Sequence, residues 1–302
     1  MPDIDIYSEP TTLVLGAGAS APYGFPLGPD LKTQILGLPD NRVKDFLKDH
    51  ANATALIPGF KEALRFGDYG TIDYFLERKK RYRDLGAYYI VTVLAGREHG
   101  SALFPQRDLY ADIFHMLGVE SDSAAIPPLS VVTLNYDRSL EYFLACNVQY
   151  NCADEREEIA AKKAATLPIV HAHGSLGDLL TAPYGQLAKD ANSIQAAAKR
   201  IMIISDSLED SEDFRRAQEV LVHAKNIVFL GFGYHERTLS ALLSRCDMSG
   251  KRVFGTAMHL ADDRKNQTML FFHSRIHWGG IGQDCSSFLE HLGIGRRNLP
   301  KR

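Results

Sequence analysis

The stretch Thr12-Leu13-Val14-Leu15-Gly16-Ala17-Gly18-Ala19-Ser20 decides the fold. An apolar run without polar alternation ends in a glycine-rich turn. Continuous apolar runs suit strands covered on both faces, as in a parallel sheet. The same grammar recurs along the chain. Leu129-Ser130-Val131-Val132-Thr133 leads into Leu134-Asn135-Tyr136-Asp137, and Pro168-Ile169-Val170-His171-Ala172 into His173-Gly174-Ser175. Ile201-Met202-Ile203-Ile204 leads into Ser205-Asp206, and Asn226-Ile227-Val228-Phe229-Leu230 into Gly231-Phe232-Gly233-Tyr234. Arg252 to Thr256 and Arg275 to Trp278 read as two further strands. Helical periodicity fills the gaps, as in Asp213 to Lys225 and Arg237 to Cys246. The predicted class is α/β: a Rossmann-like, doubly wound, mostly parallel sheet.

The interval from about residue 28 to 126 breaks this rhythm. It is too long for one crossover helix and reads as helices over Asn41 to Lys48, Ile72 to Tyr82, Tyr88 to Leu94 and Leu109 to Leu117. The expectation is a single domain over residues 1–302 with this helical insertion near the carboxyl edge of the sheet. Asn151 to Lys163 reads as a further charged helix.

Composition narrows the class. The 302 residues are 45% hydrophobic and 24% charged, which excludes collagen-like, low-complexity and wholly disordered chains. The net charge of −3 supplies no global attraction to nucleic acid or anionic lipid. Cys146, Cys152, Cys246 and Cys285 contain no Cys-x₂₋₄-Cys pair, so a structural zinc site is not expected. They are read as reduced, mostly buried small hydrophobes. No signal peptide opens the sequence, and no apolar run approaches the roughly 20 residues of a membrane span. A cytoplasmic protein is expected.

Four clusters at strand ends are candidates for chemistry. Gly16, Ala17, Gly18 and Ser20 suit either a pyrophosphate cradle or a tight strand exit. A dehydrogenase would end a second strand with an acid about 20 residues on; Asp40 lies near that distance, in a helical context. Asn135 and Asp137 suit a ribose hydroxyl and a water, with an Asx-turn and helix N-cap over Arg138 to Leu144 as the bland reading of Asp137. His171 and His173, two residues apart on a strand, point the same way; His173, at the strand's end, is the candidate general acid or base, and His171 the structural histidine. Gly231 and Gly233 allow either a second backbone approach to a ligand or a helix-leading turn. His171 and His173 could form a metal pair, but no carboxylate or third histidine sits close by in sequence and the other histidines show no metal spacing, so no metal is expected.

In order and spacing, the four clusters together resemble the sirtuin superfamily. Within it, the chain resembles the sirtuin-like NADases of bacterial antiphage defence, such as the Thoeris effector and the sirtuin partner of HerA-type ATPases. Ala21-Pro22-Tyr23-Gly24-Phe25-Pro26 and Thr71-Ile72-Asp73-Tyr74-Phe75-Leu76 add to the likeness, the latter resembling the Ser-Ile-Asp-x-Phe-Leu signature of that branch. The two cysteine pairs of the zinc-dependent deacetylases are missing. Their Pro-Asp-Phe-Arg run is missing too, and Phe25-Pro26-Leu27-Gly28 stands in its place.

The resemblance implies a site for NAD as substrate. Gly16, Ala17, Gly18 and Ser20, with Phe25, would line the pyrophosphate and adjoining ribose, and Gly231 and Gly233 the adenosine end. Asn135 would orient the nicotinamide ribose and a water, with Asp137 as the acid two residues later and His173 as the catalytic histidine. The implied activity is NAD⁺ glycohydrolysis to nicotinamide and ADP-ribose, in an abortive-infection effector controlled by assembly. The implied partners are further copies of the chain and a HerA-type ATPase or another defence component, without membrane and with nucleic acid only through a partner. The alternatives are an ADP-ribosyltransferase and a non-catalytic NAD-sensing scaffold.

Overall fold

Leu13 and Leu15 of β1 (Thr11–Leu15) face one layer of core and Val14 the other, the two-sided burial that an unbroken apolar run implies. The same division holds for Val131 against Val132 in β2 (Leu129–Thr133) and for Val228 against Phe229 in β4 (Asn226–Leu230). With β3 (Ile169–His171), β5 (Arg252–Gly255) and β6 (Ile276–Trp278) they form a sheet in the order β3-β2-β1-β4-β5-β6. Every pairing is parallel. The computed structural model describes residues 4–46, 55–104, 108–118, 126–203 and 211–295.

The chain winds outward from β1 to β3, then crosses to the other side of β1 and winds outward again. The order therefore reverses between β1 and β4, and ligands of open α/β sheets bind at the carboxyl end of such a switch point. The chain is a Rossmann-like α/β protein.

After the short α1 (Ala17–Ser20), the face of Leu13 and Leu15 is covered by the insertion: α2 (Gly28–Gly37), α3 (Asp40–Phe46), α4 (Ile57–Phe66), α5 (Ile72–Arg78), α6 (Arg83–Ala95) and α7 (Leu109–Met116). In α6 every residue from Leu85 to Ala95 is buried, so it forms the centre of this layer rather than its surface. Insertion and sheet share one continuous core. The opposite face is covered by α11 (Glu212–His223), through Phe214, Ala217 and Leu221, and by α12 (Glu236–Leu243), through Leu239, Leu242 and Leu243. No described helix is long and apolar enough to cross a membrane.

Several expectations are corrected. Ile201-Met202-Ile203 is not a strand; residue 204 lies outside the described residues. The run follows α10 (Ala191–Arg200) and meets the edge strand β3 only beyond its end, through Met202 N–H donating to His173 O at 2.9 Å. At that point Gly174, with φ +77°, has already turned the chain away; a side chain there would come within 1.9 Å of Arg200 O.

The helix expected to reach Tyr82 ends at Arg78 and passes into a 3-10 turn over Lys80–Tyr82, after Lys79 leaves helical geometry at ψ 61°. The segment expected from Asn41 starts at Asp40 and ends at Phe46, where the described residues stop. The helix expected at Tyr88 to Leu94 is longer, because burial on all sides removes the amphipathic signal at its ends. The charged segment expected from Asn151 is α9 (Asp154–Thr166), because α8 (Ser139–Asn151) runs on to Asn151 itself.

Candidate functional site

Strand register brings the clusters together. Leu15 is in register with Thr133 on one side and Leu230 on the other, and Thr133 with His171. The residues that follow are Gly16, Leu134, Gly231 and Ala172, on four neighbouring strands. The glycine turn, Asn135, His173 and the Gly231 turn therefore share one carboxyl edge at the switch point.

The glycines serve a close contact between two turns. Gly16 N–H donates to Leu230 O at 3.0 Å and Gly18 N–H to Gly231 O at 2.9 Å. A β-carbon on Gly16 would fall 2.6 Å from Gly231 O, and one on Gly231 would fall 2.2 Å from Ala19 N. Gly231 also has φ +59°. The N–H groups of Gly16 and Gly18 are thus engaged within the protein, and the tight exit that the sequence allowed is real. Beneath it Phe25 is buried in the core. On the β4 side, Gly231 N–H donates to Thr256 Oγ1 at 2.9 Å and the Tyr234 hydroxyl to Thr256 O at 3.1 Å. Tyr234 itself adopts φ 50°, a left-handed conformation costly for a non-glycine residue.

Asn135 is held from three directions. Its Nδ2 donates to Gly16 O at 2.9 Å and Ser20 Oγ at 2.8 Å, and its N–H to Thr133 Oγ1 at 3.1 Å. A carbonyl such as Gly16 O can only accept, which fixes the amide orientation. Both amide hydrogens are used. What Asn135 leaves is Oδ1, which can only accept.

Asp137 is buried, and its Oδ1 accepts from Ser139 N at 3.2 Å and from Ser139 Oγ. The bond to Ser139 N is the expected Asx-turn, but the expected helix cap is not made: α8 begins at Ser139, Arg138 occupies the N-cap position, and no side-chain cap bond is made there. Burial raises the Asp137 carboxyl above the usual carboxylate range, while hydrogen bonds from Ser139 and Ser20 oppose the rise.

The two histidines do not share surroundings, because β3 ends at His171. His171 lies between Asn135 O, 2.8 Å from Nδ1, and Glu141 Oε1, 2.6 Å from Nε2. Both partners are acceptors, so both ring nitrogens carry protons and the ring is an imidazolium. Burial pushes its pKa down, but Glu141 and the Asn135 carbonyl outweigh this and bring it to about 9. His173 is 5% exposed and lies parallel to Phe214, with ring centres 6.2 Å apart. Its Nε2 is buried without a hydrogen-bond partner among the described residues, and burial lowers its pKa to about 4. At neutral pH it is an uncharged imidazole with one nitrogen unspent.

Three residues of the insertion, none assigned a role from sequence, clamp the loop that carries Asn135 and Asp137. Asp73 of α5 accepts from the Tyr136 hydroxyl at 3.0 Å. Glu98, after α6, takes Nε and Nη2 of Arg138 at 2.7–2.9 Å, and Arg138 Nη1 donates to Ala182 O at 2.6 Å. Tyr110 of α7 bonds Ser139 Oγ at 2.7 Å. Asp73 falls within the Thr71–Leu76 likeness, so a signal for it existed. Glu98 and Tyr110 had none, since contacts over 40 and 29 positions leave no local pattern.

All four cysteines are free thiols and half-buried, less buried than expected. Burial pushes the Cys285 thiol up to about 12, which keeps it protonated. Among the described residues no group of three or more His, Cys, Asp or Glu is placed to hold a metal.

Residues 129–274 match the family model described as SIR2-like domain. The match covers just under half of the chain and supports a sirtuin-like family; SIR2-like domains are NAD-dependent in general. It includes Asn135, Asp137, His173, Gly231 and Gly233, and excludes the Gly16–Ser20 turn and the insertion. No curated protein matches the chain.

Proposed function

We propose that the chain is an NAD⁺ glycohydrolase releasing nicotinamide and ADP-ribose. The observation that carries this reading is His173: a neutral, buried imidazole with an unspent Nε2, at the same sheet edge as an Asn135 that can only accept. The bond from C1′ to the nicotinamide nitrogen breaks, and the ring takes the electron pair and leaves neutral, so no acid is needed. Charge builds on the ribose as in other glycoside cleavages. Water forms the new bond to C1′. Asn135 Oδ1 accepts from one of its hydrogens and His173 Nε2 takes the other as a proton, later passed to solvent. The Asp137 carboxylate supplies negative charge near the developing cation. The Gly16–Ser20 turn and Phe25 would bear the pyrophosphate side, and Gly231 and Gly233 the adenosine side.

The role in antiphage defence and control by self-assembly or by a HerA-type ATPase rest on the sequence resemblance. A cytoplasmic site of action and one domain over residues 1–302 belong to the same reading and rest also on the apolar pattern of the sequence. The deciding experiment incubates purified protein with NAD, alone and with an ATPase of that type, and follows products by chromatography and mass spectrometry. Free ADP-ribose with equimolar nicotinamide is expected. An ADP-ribose adduct would replace hydrolysis by transfer. Tight NAD binding without nicotinamide release in the assembly would replace it by a sensing role.

A further inference from the structure

Tyr110 is 1% exposed and clamped on every side. Its ring stacks on Tyr23, centres 3.7 Å apart and planes within 4°. Its N–H donates to the Tyr23 hydroxyl at 2.8 Å and to Asp108 Oδ1 at 3.1 Å, and the Tyr23 hydroxyl itself donates to Asp108 Oδ1 at 2.6 Å. A ring so held cannot swing, so its hydroxyl has a fixed address. That address lies between two serines: Ser139 Oγ at 2.7 Å and Ser20 Oγ at 3.2 Å. Ser139 Oγ donates to the Asp137 carboxyl, and Ser20 helps to lower the pKa of that carboxyl. Ser20 also accepts an amide hydrogen of Asn135 at 2.8 Å. Ser20, Tyr110 and Ser139 therefore make one buried hydroxyl bridge from the amide of Asn135 to the carboxyl of Asp137. The outer residues come from two strand ends, Ser20 after β1 and Asn135, Asp137 and Ser139 after β2, and the central one from the insertion.

We propose that Tyr110 is a positioning residue of the site, its hydroxyl coupling Asn135 to Asp137 so that the seating of α7 sets how both groups meet the substrate. Its role in catalysis rests on the NADase reading; the coupling itself does not. A hydroxyl oxygen that accepts a hydrogen bond donates more strongly in turn, so a phenol that donates to Ser139 strengthens the hold of Ser139 on the carboxylate. Its loss should raise the Asp137 pKa. The other ionisable groups facing Asp137 are Glu141 of α8, His171 of β3, the Glu98–Arg138 pair and Tyr184, and none of them depends on Tyr110 for its partner.

The test compares Tyr110→Phe with the unaltered full-length chain. The phenyl ring keeps the Tyr23 stack, so the variant should fold. Carbon-13 NMR of aspartate carboxyls, with Asp137→Asn for assignment, should show Asp137 titrating at higher pH in Tyr110→Phe. An unmoved titration overturns the coupling. With NAD, kcat should fall about tenfold while KM changes less than about threefold, and the acid limb of the kcat profile should move up. Ser139→Ala should add little to Tyr110→Phe if the bridge acts as a unit. Full additivity, or a loss of kcat with no shift of the acid limb, overturns the positioning role in favour of a merely structural one. If the unaltered assembled protein cleaves no NAD while the Asp137 titration moves, the coupling stands and the NADase reading fails. Should Tyr110→Phe not fold, Ser20→Ala interrupts the same bridge from its other end and is read by the same Asp137 titration.

Discussion

Gly18 and Gly231 meet backbone to backbone, with the N–H of the first donating to the carbonyl of the second at 2.9 Å. This contact joins the turn after β1 to the turn after β4, across the place where the strand order reverses. It explains the glycines without a ligand and still leaves them at the edge where a ligand would bind.

The contact can be weighed by substitution. Gly250 has φ +74° and no atom within 4 Å of an added β-carbon, so Gly250→Ala should cost only left-handed strain, about 1–2 kcal/mol. Gly231→Ala carries similar strain plus overlap with the Gly18 backbone and should cost at least about 2 kcal/mol more, near the upper range for forced packing. Equal losses in urea denaturation would mean the turns separate freely.

His171 should titrate late. Its folded-state pKa of about 9 lies above the ordinary value of 6.5, so its contribution to stability is complete below about pH 6.5 and is lost as pH rises through about 9. Glu141→Gln removes the main group that raises it. The variant should lose stability around neutral pH, and NMR of the ring protons should show titration at lower pH. An unchanged titration would refute the charged pair.

His173 should behave in the opposite sense. Its folded-state pKa of about 4 lies below 6.5, so keeping it neutral costs nothing above about pH 6.5 and destabilises the fold increasingly as pH falls toward 4. As a base it should sustain NAD cleavage from neutral pH down to about 5. His173→Ala and Asn135→Ala should each lower turnover at least about a hundredfold. Wild-type rates in purified His173→Ala protein would remove it from the mechanism.

Glu98 and Arg138 hold the insertion to the loop that carries the site. Arg138 is 1% exposed, and Glu98→Ala would leave its charge buried without a counter-ion. A loss of about 3–5 kcal/mol is expected in chemical denaturation, with much of it recovered when both residues are replaced by apolar ones of similar volume. A loss below about 1 kcal/mol would mean that water reaches the guanidinium once Glu98 is gone.

Much of the sheet was legible because a buried parallel strand writes its state locally, as an unbroken apolar run before a turn. The run at Ile201–Ile203 shows the limit of that signal. Apolar residues beside a sheet look like a strand in sequence, and only the Gly174 turn and the edge position of β3 keep them out of it. The all-round burial of α6 blurred its ends for the converse reason.

For the site, the sequence alone placed glycines, Asn135, Asp137 and His173 after strands, and a parallel sheet then brings such positions to one edge. Their partners were decided only by the tertiary structure. Proximity of His171 and His173 in the chain suggested a shared outlook, yet one became an imidazolium between two acceptors and the other a neutral ring whose Nε2 has no partner among the described residues. Asp73, Glu98 and Tyr110 reach the loop from across the insertion. Local propensity depends on neighbours a few residues away, whereas protonation and hydrogen-bond direction depend on whatever packing brings within about 3 Å.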